Sequence, residues 1–109
     1  MKYHEAFEDH KYSYLVLEYC PGGELFSLIH KRATATKLGL NLKLTRYYAA
    51  CIFLALEHLH NHNIVFNDLK PENIVISADG KAKLTDFGVS VLIDPFQSQD
   101  SNTERQQKL

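Results

Sequence analysis

Neither sign of charge dominates this chain: twelve Lys and Arg stand against thirteen Asp and Glu, for a formal net charge of −1. No basic run is present, so neither nucleic acid nor an anionic membrane surface is an expected partner. Cysteine is scarce. Cys20 and Cys51 are too few for the disulfide framework of a small secreted domain. An apolar N-terminal leader is absent, and so is any apolar run long enough to cross a bilayer. An intracellular, cytoplasmic setting without a membrane contact is expected. Apolar residues are missing altogether from Gln97 to Lys108, which predicts a disordered polar tail over residues 93–109. Length is short as well. At 109 residues the chain makes one small domain, able to bury about two-thirds of its unfolded surface.

What is present is a dense group of chemically active residues in the second half. Asp68-Leu69-Lys70-Pro71-Glu72-Asn73 is followed, thirteen residues after Asn73, by Asp86-Phe87-Gly88. This order supplies a carboxylate to accept a proton from an attacking hydroxyl, a cation for a transferred phosphate, and oxygen ligands for a hard metal ion. Asp68 suits the first need, Lys70 the second, and Asn73 with Asp86 the third. The residues between them support the grouping. Asn73-Ile74-Val75-Ile76-Ser77 and Lys81-Ala82-Lys83-Leu84-Thr85 read as two short strands, with Asp79-Gly80 as a hairpin turn. Such a hairpin returns Asp86 to the side of Asn73.

These residues resemble the protein kinase family, whose catalytic loop reads His-Arg-Asp-x-x-x-x-Asn and whose metal loop reads Asp-Phe-Gly. In this chain the first stands as Phe66-Asn67-Asp68. The resemblance implies Asp68 as catalytic base, Asn73 and Asp86 as Mg²⁺ ligands, and Phe87 as the packing residue that sets the state of the loop. Lys70 is similar to the lysine of serine/threonine kinases, which implies ATP-dependent transfer to Ser or Thr hydroxyls of a protein substrate. Aminoglycoside-type phosphotransferases share the Asp-to-Asn spacing but usually carry His at the position of Lys70. Lys70-Pro71-Glu72 favours protein kinases.

Upstream, Tyr14-Leu15-Val16-Leu17-Glu18-Tyr19 is an apolar, β-prone run that stops at Cys20-Pro21-Gly22-Gly23. A helix is expected from Glu24-Leu25-Phe26-Ser27-Leu28-Ile29, ending in the cations His30-Lys31-Arg32. The segment resembles a kinase hinge of the AGC group, which includes the cyclic-nucleotide-dependent kinases. By that resemblance Leu17 is the gatekeeper of the adenine pocket, and the backbone of Glu18 and Cys20 pairs with adenine. Glu24 lies near the ribose, and Val75 forms the apolar floor beneath the base. Should the hinge assignment fail, Leu17 and Val75 read as plain core residues.

Between the two anchors, residues 33–42 read as a loop. Thr45 is the expected N-cap of a long helix through about His60. Tyr48, Cys51, Ile52, Ala55, Leu56 and Leu59 fall at helical spacing, while Phe53 and Leu54 add apolar surface on the other side. A helix apolar nearly all round is expected to be buried. Ile64-Val65-Phe66 is the short strand that delivers the chain into the catalytic loop. His58 and His62 stand one helical turn apart. With only Glu57 beside them, no useful set of metal ligands is completed, and a solvated helix end is the favoured reading.

Two departures from the family pattern shape the expectation. The resemblance covers residues 3–92, a partial kinase domain of α+β class with a hinge strand, two helices, a catalytic loop and a β-hairpin. The Gly-rich phosphate loop, the strand lysine with its helix glutamate, and the Ala-Pro-Glu element have no counterpart. Apolar surface on the long helix and first strand is therefore expected to stay open to other kinase segments or a partner. A binding or competitor module without catalysis is the alternative to an enzyme. Asn67 is the second departure, replacing the arginine that pairs with an activation-loop phosphate. Activation through that contact is not expected.

Overall fold

The computed structural model describes residues 1–94; the tail reading for 95–109 lies outside the described residues. Strands β1 (Tyr3–Glu8) and β2 (Ser13–Leu17) come first. Helices α1 (Leu25–Thr36) and α2 (Leu42–Asn61) follow, then β3 (Ile64–Val65) and a 3₁₀ turn at Pro71–Asn73. The described chain closes with β4 (Ile74–Ile76), β5 (Ala82–Leu84) and β6 (Val91–Leu92). The strands form three antiparallel pairs, β1 with β2, β3 with β6 and β4 with β5. The α+β class expected from the sequence is the class observed.

The core lies where the two helices meet the β4–β5 hairpin. Leu25, Tyr48, Phe66, Ile74, Ile76, Ala82 and Leu84 are buried there, with Leu28 and Ile29 of α1 and Cys51, Ile52, Ala55, Leu56 and Leu59 of α2 packed against them. Strand pleating decides the hairpin's share. Ile74 and Ile76 point into the core on one strand and Ala82 and Leu84 on the other, while Val75 and Lys83 face outward. Phe66, at 2% exposure, is the most deeply buried large side chain. It anchors the residue pair immediately before Asp68.

Three helix expectations need correction. Helix α1 does not stop at His30-Lys31-Arg32 but runs through Ala33-Thr34-Ala35-Thr36, residues assigned to a loop. Alanine is a strong helix former, and the two threonine hydroxyls fold back onto the carbonyls of His30 and Arg32. The helix ends where Lys37 turns left-handed, φ 58°, and its N–H donates to the Ala33 carbonyl at 2.8 Å. Helix α2 begins a turn earlier than Thr45. Asn41 is the N-cap, its Oδ1 accepting from the Leu44 N–H at 2.9 Å. Thr45 sits inside the first turn, with its hydroxyl bonded to the Asn41 carbonyl.

Burial of α2 is also one-sided. Phe53 is 73% exposed and Leu54 65% exposed on the outer face. Burial all round fails because, among the described residues, the other elements cover only one flank. The uncovered apolar surface expected on this helix and on the hinge strand is present: Leu15 and Val16 of β2 are exposed, as is nearly all of the β1–β2 hairpin. That hairpin is held by its own turn, where Asp9 Oδ1 accepts from the N–H groups of Lys11 and Tyr12, and by a stack of Phe7 on Tyr14. No helix of the described residues is long and apolar enough to cross a membrane.

Candidate active site

The β4–β5 hairpin sets the spacing of the site. Ile74 pairs with Leu84, Val75 with Lys83 and Ile76 with Ala82. At the turn, Gly80 takes φ 81° and donates to the Ser77 carbonyl, a conformation open to glycine at little cost. The ladder continues one step past the strands, because Thr85 N–H donates to the Asn73 carbonyl at 3.0 Å. Asn73 and Asp86 therefore leave the hairpin side by side.

Asp68, Lys70 and Asn73 touch one another. Lys70 Nζ lies 2.8 Å from Asp68 Oδ2. Asn73 Nδ2 donates to the same oxygen at 2.7 Å and to the Asp68 carbonyl at 3.0 Å. The 3₁₀ turn makes this possible by closing Asn73 N–H onto the Lys70 carbonyl. The Lys70 ammonium above all holds the Asp68 carboxyl below its ordinary range; desolvation opposes this, and the Asn73 amide lowers it further. Asp68 raises Lys70 in return, and Glu72 and Asp86 add to that rise. Asp86 directly follows Thr85, whose backbone pairs with Asn73, so chain connectivity brings it to the Asn73 end of this group.

Asp86 has φ 63°, a left-handed conformation that Asp tolerates, and its Oδ1 accepts from Gly88 N–H at 3.2 Å. Phe87 meets Phe66 edge to face, with ring centroids 5.2 Å apart. A cleft of about 550 Å³ opens between β1–β2 and this loop, lined by Met1, Tyr3, Leu15, Leu17, Thr85, Asp86, Phe87 and Gly88. Leu17 and Asp86 thus share a wall.

Hinge and hairpin are joined by backbone. Gly22 N–H donates to the Ile76 carbonyl and Ile76 N–H to the Gly23 carbonyl, both at 2.9 Å, while Glu24 bridges Val75. A Cβ on Gly22 would lie 2.5 Å from Ile76 Cβ, so only glycine permits this approach. Glu18 N–H donates to the Lys2 carbonyl, and Gly23 N–H to the Cys20 carbonyl at 3.2 Å. Among the described residues, the Glu18 carbonyl and the Cys20 N–H have no backbone partner. The Glu18 side chain accepts from Lys83 Nζ and from Lys2 N–H. This pair joins the hinge to β5 across 65 residues of sequence. Nothing in the sequence pattern marks it, because lysine and glutamate so far apart become partners only through the fold.

A sequence model of the protein kinase domain matches residues 1–106. The chain belongs to the protein kinase family. Among its relatives, the serine/threonine-protein kinase PKH3 of Saccharomyces cerevisiae is 43% identical over 101 residues, 93% of this chain and 11% of that protein. Protein kinase PINOID 2 of Arabidopsis thaliana is 46% identical over 89 residues, covering 82% of this chain and 16% of the relative. The cAMP-dependent protein kinase catalytic subunit of Dictyostelium discoideum is 43% identical over 91 residues, 84% of this chain and 13% of the relative. The chain spans between about a tenth and a sixth of the length of these kinases. Kinases of this family transfer phosphate from ATP with the help of Mg²⁺.

Proposed function

We infer that this kinase segment serves ATP-dependent phosphoryl transfer to Ser or Thr hydroxyls of a protein substrate. The carrying observation is the three-way contact of Asp68, Lys70 and Asn73, with Asp86 one residue past the Thr85–Asn73 backbone bond. In this reading Asp68 accepts the hydroxyl proton as the oxygen forms its bond to phosphorus, and Lys70 faces the transferred phosphate. The Glu18 carbonyl and Cys20 N–H pair with adenine, Leu17 acts as gatekeeper, Glu24 approaches the ribose and Val75 lies under the base. Residues 3–92 form the working unit, with 93–109 as a tail. Both cysteines are free, which agrees with a reducing, intracellular compartment.

The residues suit a magnesium ion. Asn73 directs its amide nitrogen to Asp68 and keeps its oxygen for a ligand, and Asp86 engages Gly88 through only one carboxylate oxygen. Two oxygen donors are what Mg²⁺ takes from a protein when phosphates and waters complete its shell. Bound there, the ion would offset charge on the phosphates.

A Mg²⁺-dependent ATP titration of the 109-residue chain tests the site. Binding should strengthen with Mg²⁺, and Asp86→Ala or Asn73→Ala should remove that gain. Asp68→Ala should lower transfer to a Ser-containing peptide by about 10²- to 10⁴-fold. ATP binding indifferent to Mg²⁺, or transfer that survives Asp68→Ala, would refute the reading. The exposed apolar faces of β1–β2 and α2 favour a second reading, a non-catalytic module that binds a partner or competes with a complete kinase. Peptide phosphorylation by the wild-type chain separates the two.

A further inference from the structure

The stretch after Asp86-Phe87-Gly88 is fastened to the approach of Asp68 by more than strand pairing. Strands β3 and β6 pair Ile64 with Leu92 and Val65 with Val91, and Ile93 N–H donates to the Asn63 carbonyl at 2.7 Å. Two side chains then extend the contact beyond the strands, one from each segment. Asn67 Nδ2 donates to the Val89 carbonyl at 3.1 Å, and Ser90 Oγ donates to the Phe66 carbonyl at 3.1 Å. The segments are crossed twice, in opposite directions.

Position gives these bonds their consequence. Asn67 immediately precedes Asp68, while Val89 and Ser90 follow Asp86 at short range. Asn67 holds φ 65°, a left-handed conformation that asparagine accepts more readily than most residues. Phe66, whose carbonyl receives Ser90, is the deepest large side chain of the core and also the ring on which Phe87 rests. The clasp therefore ties the Asp86 loop to a fixed point.

We propose that Asn67 and Ser90 act as positioning residues that hold Asp86 in register with Asp68, using two neutral hydrogen bonds. The proposal rests on the reading of Asp86 as a Mg²⁺ ligand. An amide-to-carbonyl bond needs no anion, whereas an arginine at position 67 would carry a charge that calls for one. The segment after Asp86 is consequently set in place without phosphorylation.

Asn67→Gly is the decisive variant, because glycine keeps the left-handed backbone and deletes only the amide. Asn67→Asp keeps the size but sets a carboxylate against the Val89 carbonyl. ATP binding to the whole chain is measured with and without Mg²⁺. The Mg²⁺ concentration for half-maximal effect should rise about fivefold in Asn67→Gly and further in Asn67→Asp, with metal-free ATP affinity unchanged. Ser90→Ala, which leaves the catalytic loop's sequence intact, should show the same split. An unchanged Mg²⁺ requirement overturns the clasp, and so does an equal loss of both affinities, which marks general unfolding. Absence of any Mg²⁺ effect in the wild-type chain is a different failure, that of the Asp86 reading. Amide exchange then tests the clasp alone: the N–H groups of Ser90 and Ile93 should exchange faster in Asn67→Gly, and equal rates refute it.

Discussion

At the scale of single residues, Asp68 shows how two neighbours set the titration of a carboxyl. Its carboxyl is held low by Lys70 first and by Asn73 second, so it stays anionic at neutral pH. A depressed acid stabilises the fold above its ordinary pKa, and that contribution disappears as pH falls through the lower folded value. A pH titration followed by the Asp68 carboxyl ¹³C resonance should therefore show a midpoint below the ordinary Asp range, moving up in Lys70→Met. A midpoint indifferent to Lys70 would break the link between the two. Gly22 carries a different constraint, set by distance. Any side chain there meets Ile76 Cβ at 2.5 Å and its carbonyl at 2.7 Å. Gly22→Ala should push the hinge off β4, lowering ATP affinity even without Mg²⁺, which calorimetry reads directly. Wild-type affinity in that variant would place the adenine site elsewhere.

At the scale of elements, local signals fixed the strands better than the helix ends. The Asp79-Gly80 turn and the alternation on either side gave the hairpin, because pleat and turn chemistry are local. Helix boundaries depended on competition between neighbouring caps. Asn41 and Thr45 both offer N-cap chemistry, and Asn41 takes the role because the added turn lets Leu44 pack against the core. Asn41→Ala should cost about 1 kcal/mol, seen in chemical denaturation, whereas Thr45→Ala should cost less. The reverse order would restore Thr45 as the cap. The end of α1 follows a related rule: Ala33-Thr34-Ala35-Thr36 sustains the helix past the cations His30-Lys31-Arg32, which by local signals alone suit a helix end.

For the molecule as a whole, the distribution of apolar surface is the governing property. The core takes in the β4–β5 hairpin and one flank of each helix, while Phe53, Leu54 and most of β1–β2 face solvent. Exposed aromatic and aliphatic surface on this scale favours association. Purified chain should bind an apolar-surface dye and sediment with an apparent mass that rises with concentration. A concentration-independent monomer with a cooperative melt and no dye uptake would contradict this. Phe53→Lys and Leu54→Lys together should reduce dye binding with little loss of fold, since neither residue belongs to the core.

The family and the α+β class were legible in the sequence itself, and the proposed set Asp68, Lys70, Asn73 and Asp86 comes from it too, because motif spacing and the Asp79-Gly80 turn are local. Tertiary structure alone decided which partners those residues take. The Glu18–Lys83 pair, the approach of Gly22 to Ile76 and the crossing bonds of Asn67 and Ser90 each join parts of the chain that share no local pattern. Hydrogen bonds and ion pairs act over a few ångströms, so such partners become readable only after the core has brought distant segments together.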